Sequence, residues 1–185
     1  MKRLLIVVDY QKDFVDGALG FEGAELLEEP ILAKIAAYRE AGDPVWFTFD
    51  THHPDYANTQ EGRKLPIPHC LEGTPGWGLY GKVAEAQLDS DEAFLKPTFG
   101  SIELCARLAK AQQVATGLGS LPFASIELVG LVSNMCVLSN AVIARTACPD
   151  VPIIVDAACT AAPDPIANEK ALDIMEDLQI EVINR

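Results

Sequence analysis

IELVGLVSNMCVLSNAVIAR, residues 126–145, starts as one kind of element and ends as another. Ile126 to Gly130 is apolar enough for a buried strand, whereas Val137, Ala141 and Ala144 fall at helical spacing. A strand running directly into a helix is half of a βαβ unit, so this stretch sets the fold class. It also leaves a thiol, Cys136, in the junction or the first helical turn.

Outward from that stretch the same alternation recurs. LLIVV at 4–8 is a continuous branched apolar run, as expected of a strand covered on both faces of a parallel sheet. A helix over 30–41 follows, with Ile31, Ile35 and Tyr38 on one face and Gly42 as its stop. VWFTF at 45–49, AFL at 93–95, VPIIV at 151–155 and IEVI at 180–183 read as further strands. IELCARLAKA at 102–111 and residues 165–178 read as helices. Six strands alternating with helices predict an α/β fold with a mostly parallel sheet and right-handed crossovers. Two stretches lack a pattern, 51–80 and 112–124. Loops of that length inside a domain are usually functional or disordered, and the first holds all three histidines.

Composition narrows the function classes. The 185 residues, 49% hydrophobic, suit a single domain spanning 1–185. Lys+Arg 14 against Asp+Glu 27 gives a formal charge of −13, which repels phosphate backbones and anionic bilayers, so neither nucleic acid nor membrane is an expected partner. The apolar run in MKRLLIVVDY stops at Asp9, too soon for a signal peptide or a membrane span. Five cysteines, odd in number and without a CxxC pair, fit reduced thiols and a cytoplasmic location.

Open α/β sheets bind ligands beyond the carboxyl ends of their strands. The first strand runs into Asp9, the second into Asp50, the third into Lys96 and the fourth into the junction with Cys136, which places four chemically useful side chains on one rim. Each has an ordinary alternative. An Asp after a strand is often a turn former or helix cap, a lysine before proline is usually solvated, and a cysteine is often a small core residue. What distinguishes Cys136 is its position: backbone N–H groups at a helix start favour a thiolate and can also hold an oxyanion. Asp50, His52, Glu61 and His69 of the 51–80 region form a mixed N/O set suited to zinc, iron or manganese. In an extended segment His53 would point away from His52.

Taken together, these residues resemble the isochorismatase-like cysteine hydrolases, within them the nicotinamidases, over essentially the whole chain. VVDYQKDF at 7–14 is similar to the family's D-x-Q-x-D-F opening. DTHHPDY, TQEGRKLPIPHC and GTPGW resemble its metal loop, FLKPTFGS its lysine segment, and GLVSNMC its nucleophile turn.

The resemblance implies a three-layer α/β/α fold with a six-stranded, mainly parallel sheet. It implies a catalytic triad of Asp9, Lys96 and Cys136, with the N–H groups of Val132 and Cys136 as oxyanion hole and a cis peptide before Val132. It further implies one divalent metal ion, zinc first and iron or manganese after it, on Asp50, His52, Glu61 and His69. That ion would orient a ring walled by Phe14 and Trp77. The expected activity is hydrolysis of nicotinamide to nicotinate and ammonia. The alternatives are another small amide or carbamoyl compound, with residues 112–124 lining part of the pocket, and a non-catalytic ligand-binding member of the fold. The chain departs from the family pattern at Asn58, where some nicotinamidases use a third histidine, and at Ser133 and Asn134, where the junction often reads T-D. A homo-oligomer is expected, of unassigned symmetry.

Overall fold

A computed structural model describes residues 1–185. In chain order the elements are β1 (Leu4–Val8), α1 (Lys12–Val15), α2 (Glu28–Glu40), β2 (Val45–Asp50), α3 (Gln60–Lys64), α4 (Gly81–Ala86), β3 (Glu92–Lys96), α5 (Ile102–Gly117), β4 (Ile126–Leu131), α6 (Leu138–Ala147), β5 (Ile153–Ala161), α7 (Pro165–Asp177) and β6 (Glu181–Ile183). The six strands form one sheet in the order β3-β2-β1-β4-β5-β6, and every neighbouring pair is parallel.

Period-two alternation in β1 divides the core. Leu4, Ile6 and Val8 pack with Leu104, Leu108, Val137, Ala144 and Leu172 on one face of the sheet. Leu5 and Val7 pack with Phe14, Ile31, Ile35 and Tyr38 on the other. Helices thus cover both faces, giving the expected three layers. Local chemistry fixes where they begin: Ser101 Oγ accepts the Leu104 N–H at 3.1 Å ahead of α5, and Asp164 Oδ1 accepts the Ile166 N–H at 2.9 Å ahead of α7.

From β1 the chain builds outward through β2 and β3, then returns to the other side of β1 with β4 and continues to β5 and β6. The reversal lies between β1 and β4, where the crossovers leave on opposite faces and a crevice opens at the strand ends. Gly130 lets β4 approach there. Its φ is +113°, and a Cβ at this position would lie 2.0 Å from the Val8 carbonyl oxygen, so only glycine fits.

Two expectations change. The 51–80 region is not patternless: it holds 3-10 turns at Tyr56–Asn58 and Pro75–Trp77 as well as α3, which Thr59 caps by accepting the Gly62 N–H at 2.9 Å. Residues 112–117 continue α5, and 118–124 lead to the amino end of β4, where the Ala124 N–H donates to the Lys2 carbonyl. Segment 112–124 therefore lies at the rim opposite the carboxyl ends and lines no part of the crevice. No helix is long and apolar enough to cross a membrane. All five cysteines are free thiols.

Candidate active site

Three of the four strand-end residues meet around one ammonium. Lys96 leaves β3, passes over β2 and reaches the end of β1, placing Nζ 2.6 Å from Asp9 Oδ2, 3.3 Å from Asp50 Oδ1 and 3.4 Å from Cys136 Sγ. Two strand spacings are about 10 Å, a gap that a long side chain is needed to cross. Asp9 sits just past β1 with φ +44°, a left-handed conformation that turns its carboxylate into the crevice, and Thr48 Oγ1 donates to its Oδ1 at 2.6 Å. Cys136 lies in a π-helical turn, Ser133–Val137, that opens into α6. Such turns are frequent at functional sites. The Met135 and Val137 N–H groups both donate to the Val132 carbonyl, whereas the Val132 N–H meets no acceptor in the protein, and the Leu131–Val132 peptide is cis.

Burial governs the protonation of this group. Burial pushes the Cys136 thiol well above its usual range; Lys96 opposes the shift, and the Asp9 and Asp50 charges add to it. Burial thus works against the thiolate that backbone N–H groups at a helix start favour, and Lys96 works for it. Burial also raises Asp9, with Lys96 pulling the other way. For Lys96 burial works against the charge, and the surrounding Asp9, Cys136 and Asp50 more than restore it, raising its pKa. Moving the thiol proton to Asp9 exchanges one anion for another beside the same ammonium, so the net charge of the pocket does not change.

Next to this triad, Asp50, His52, Glu61 and His69 each direct one ligand atom into a space where all four atoms lie within 4.8 Å of one another. Asp50 Oδ2 is 3.1 Å from His52 Nε2 and 3.3 Å from His69 Nε2, and Glu61 Oε1 is 3.8 Å from both rings. The Nδ1 of His69 lies 2.9 Å from the Ile67 carbonyl oxygen; donation there directs the Nε2 lone pair at the two carboxylates. Two imidazole nitrogens and two carboxylates converging on one point either share protons, as the 3.1 and 3.3 Å contacts to Asp50 Oδ2 allow, or hold a cation between them. Asp9, Asp50 and Glu61 against Lys96 alone leave a formal charge of −2, the complement of one divalent ion. At Asp50 burial is outweighed by hydrogen bonds from His52 and His69 and by the Lys96 charge, and its pKa falls. Burial and the Asp50 charge raise Glu61. The donor set therefore fits a metal.

The remaining expected residues fall around these two groups. Phe14 is buried with its ring edge-on to His69 at 5.6 Å, and Trp77 stacks at a tilt on Phe49 at 5.6 Å while its Nε1 donates to Thr51 Oγ1. His53 points outward to Glu72, as the alternation predicts. Asn58 lies in an exposed 3-10 turn and belongs to no ligand cluster. A groove of about 540 Å³ runs from Glu61 past Lys64 and Leu65 to Pro97, Phe99 and Met135. It therefore opens beside the neighbours of Lys96 and Cys136.

Several supporting residues were not singled out from the sequence. The fully buried Gln11 accepts the Asp50 N–H at 2.8 Å and donates to the Asp50 and Trp77 carbonyls at 2.9 and 2.7 Å, joining the ends of β1 and β2. Asp13 Oδ2 accepts the Cys70 N–H at 2.7 Å and so holds the residue after His69. Tyr56 packs its ring on both histidines of the cluster, His52 and His69, at 4.6 and 5.1 Å. The period-two spacing of Asp9, Gln11 and Asp13 was the available signal for the first two. Tyr56 carried none.

The isochorismatase domain model matches residues 3–185. The chain belongs to the isochorismatase family. An uncharacterized isochorismatase family protein PncA of Bacillus subtilis (strain 168) is 31% identical over 153 residues, covering 77% of this chain and 78% of its own. The crystal structure of a nicotinamidase/pyrazinamidase PncA from Bacillus subtilis superposes with TM-score 0.82 at 29% identity, over 98% of this chain and 99% of that one. A pyrazinamidase of Pyrococcus horikoshii, solved in complex with zinc, shares the fold with TM-score 0.80 at 23% identity over the full length of both chains. The six-stranded parallel sheet and its covering helices are those of this isochorismatase family fold.

Proposed function

We propose that this family hydrolase cleaves nicotinamide to nicotinate and ammonia through a thioester on Cys136. The observation that carries the reading is the Asp9–Lys96–Cys136 contact set lying against a four-ligand metal cluster that shares Asp50 with it. Likeness to a Bacillus subtilis nicotinamidase over nearly the whole chain supports the substrate.

Cys136 Sγ attacks the amide carbonyl carbon as its proton passes to Asp9, a base whose pKa burial raises. The carbonyl oxygen becomes an oxyanion held by the Val132 and Cys136 N–H groups. Collapse breaks the C–N bond, the Asp9 proton goes to the departing nitrogen, and ammonia leaves. Water then adds to the thioester while Asp9 accepts its proton, and the acid is released with the thiol restored. Lys96 stays charged throughout and stabilises whichever of the two anions is present. Asp50, His52, Glu61 and His69 would hold one divalent ion, for which zinc is the first choice and iron or manganese the next. Such an ion would supply a Lewis-acidic point for a ring nitrogen of the substrate. Phe14 and Trp77 would flank that ring.

The test is ammonia release from nicotinamide by the wild type, its loss in Cys136→Ala and its weakening on chelation. Equal activity of wild type and variant would overturn the reading. A second reading, another small amide or carbamoyl substrate, is favoured by the groove of about 540 Å³ between Glu61 and Met135, which leaves room for a substituent beside the Asp9–Lys96–Cys136 group. A panel of small amides separates the two.

A further inference from the structure

Asn140 is fully buried in the first turns of α6, and its amide is used from both ends. Oδ1 accepts the Ser101 N–H at 3.0 Å, while Nδ2 donates to the Phe99 carbonyl at 3.1 Å and to the Cys136 carbonyl at 2.8 Å. Phe99 and Ser101 belong to the short connection that follows Lys96 and leads into α5, and Cys136 lies one helical turn before Asn140. One side chain thus ties the segment carrying the ammonium to the turn carrying the sulfur. Gly100, between the two tethered residues, packs so tightly on α6 that a Cβ there would lie 2.7 Å from Ile143 Cδ1. The connection is thus held at Phe99 and Ser101, the two residues that lead into α5.

We infer that Asn140 is a positioning residue that fixes Lys96 against Cys136 by bridging the 97–101 connection to the nucleophile turn. The inference rests on Cys136 being the nucleophile. Asn140 touches neither the sulfur nor Lys96 Nζ, so its effect is exerted through the backbone it grips. Three hydrogen bonds from one planar amide define both distance and orientation, which an apolar side chain of similar size cannot do. A displacement of even about 1 Å at reacting groups is enough to lower the rate on the order of a hundredfold.

The experiment compares Asn140→Val with Asn140→Thr, two nearly isosteric changes that differ by a hydroxyl able to donate to the Cys136 carbonyl four residues back. Assayed well below each melting temperature, Asn140→Val is expected to lose kcat by about 10- to 100-fold with KM within about twofold, because ground-state binding is untouched. Asn140→Thr is expected to recover part of that loss. Leu108→Ala, a cavity in the same layer without a tie to the connection, serves as the stability control and should leave kcat unchanged. A kcat within about twofold of wild type in Asn140→Val, or an equal fall in Leu108→Ala, would overturn the inference. The rate at which iodoacetamide modifies Cys136, followed by mass mapping of the peptide that contains it at one fixed pH, reads the same geometry without turnover. It should slow several-fold in Asn140→Val as the ammonium leaves the sulfur, and an unchanged rate would count against the tether. This readout stands even if nicotinamide is not the substrate, and Asn140→Thr carries the test if the valine variant fails to fold.

Discussion

Asp50 and Lys96 end adjacent parallel strands in direct register, and their side chains meet at 3.3 Å inside the protein. Asp50 gives one oxygen to that ammonium and the other to the histidine pair, so a single carboxylate joins the Asp9–Lys96–Cys136 group to the cluster of His52, Glu61 and His69.

Lys96→Met should therefore damage more than catalysis. It leaves Asp9 and Asp50 buried without their cation, and breaking such a pair typically costs about 3–5 kcal/mol. Urea denaturation should show a loss of that size, and amide turnover should fall to background. Retention of stability near wild type would show that water reaches the pocket and takes over the role of the ammonium.

Glu61→Gln should change sign with metal. In the metal-free protein burial and Asp50 raise the Glu61 pKa, so its contribution to stability is present below the unfolded value and is lost as pH rises through the folded one. Near neutral pH the metal-free variant should consequently melt higher than the metal-free wild type. With saturating zinc the order should reverse, because binding stabilises the folded state by mass action and the variant has one fewer anionic ligand. Melting curves with zinc and with chelator measure both arms.

Gly130→Ala should be among the most damaging single substitutions in the chain. The new methyl would overlap the Val8 carbonyl, and the residue would keep a positive φ that side chains disfavour. A loss exceeding about 3 kcal/mol is expected, with β4 forced away from β1 and Cys136 drawn from Asp9. Denaturant unfolding and ammonia release should fail together.

Acid should release a separate and smaller effect at the other end of the sheet. Burial acts to raise the Asp43 pKa, but hydrogen bonds from the Arg3 side chain and N–H override it, so the folded value lies below 3.8. A lowered carboxyl contributes stability above its unfolded pKa and loses it as pH falls through the folded one. Because Arg3 is 43% exposed and screened, Asp43→Asn should cost only about 0.2–1 kcal/mol near pH 7. The difference from wild type should close below roughly pH 4, as measured by denaturation across pH.

Much of the site was legible because strand ends are legible. Asp9, Asp50 and Lys96 follow short apolar runs, and a parallel sheet places such positions on one rim whatever their separation in sequence. The Cys136 turn was readable for the same reason. Segment 112–124 was misread because Gln112, Gln113 and Thr116 hide the end of α5 behind polar residues on its solvent side. Asn140 and Tyr56 were invisible because their value lies in what they touch across the fold, and no local period reports that. The burial of the sulfur was not legible either: a helix start can be read from sequence, whereas the depth at which it lies depends on what packs over it.

The enclosure of Cys136 has a consequence for the protein's life in air. Peroxide attacks thiolates far faster than thiols, and this sulfur is only 4% exposed, in surroundings whose burial pushes its pKa up. The idle protein should thus withstand oxidant exposures that destroy hydrolases with permanently ionised cysteines. Its vulnerability would be confined to the brief interval when a bound amide draws the proton away.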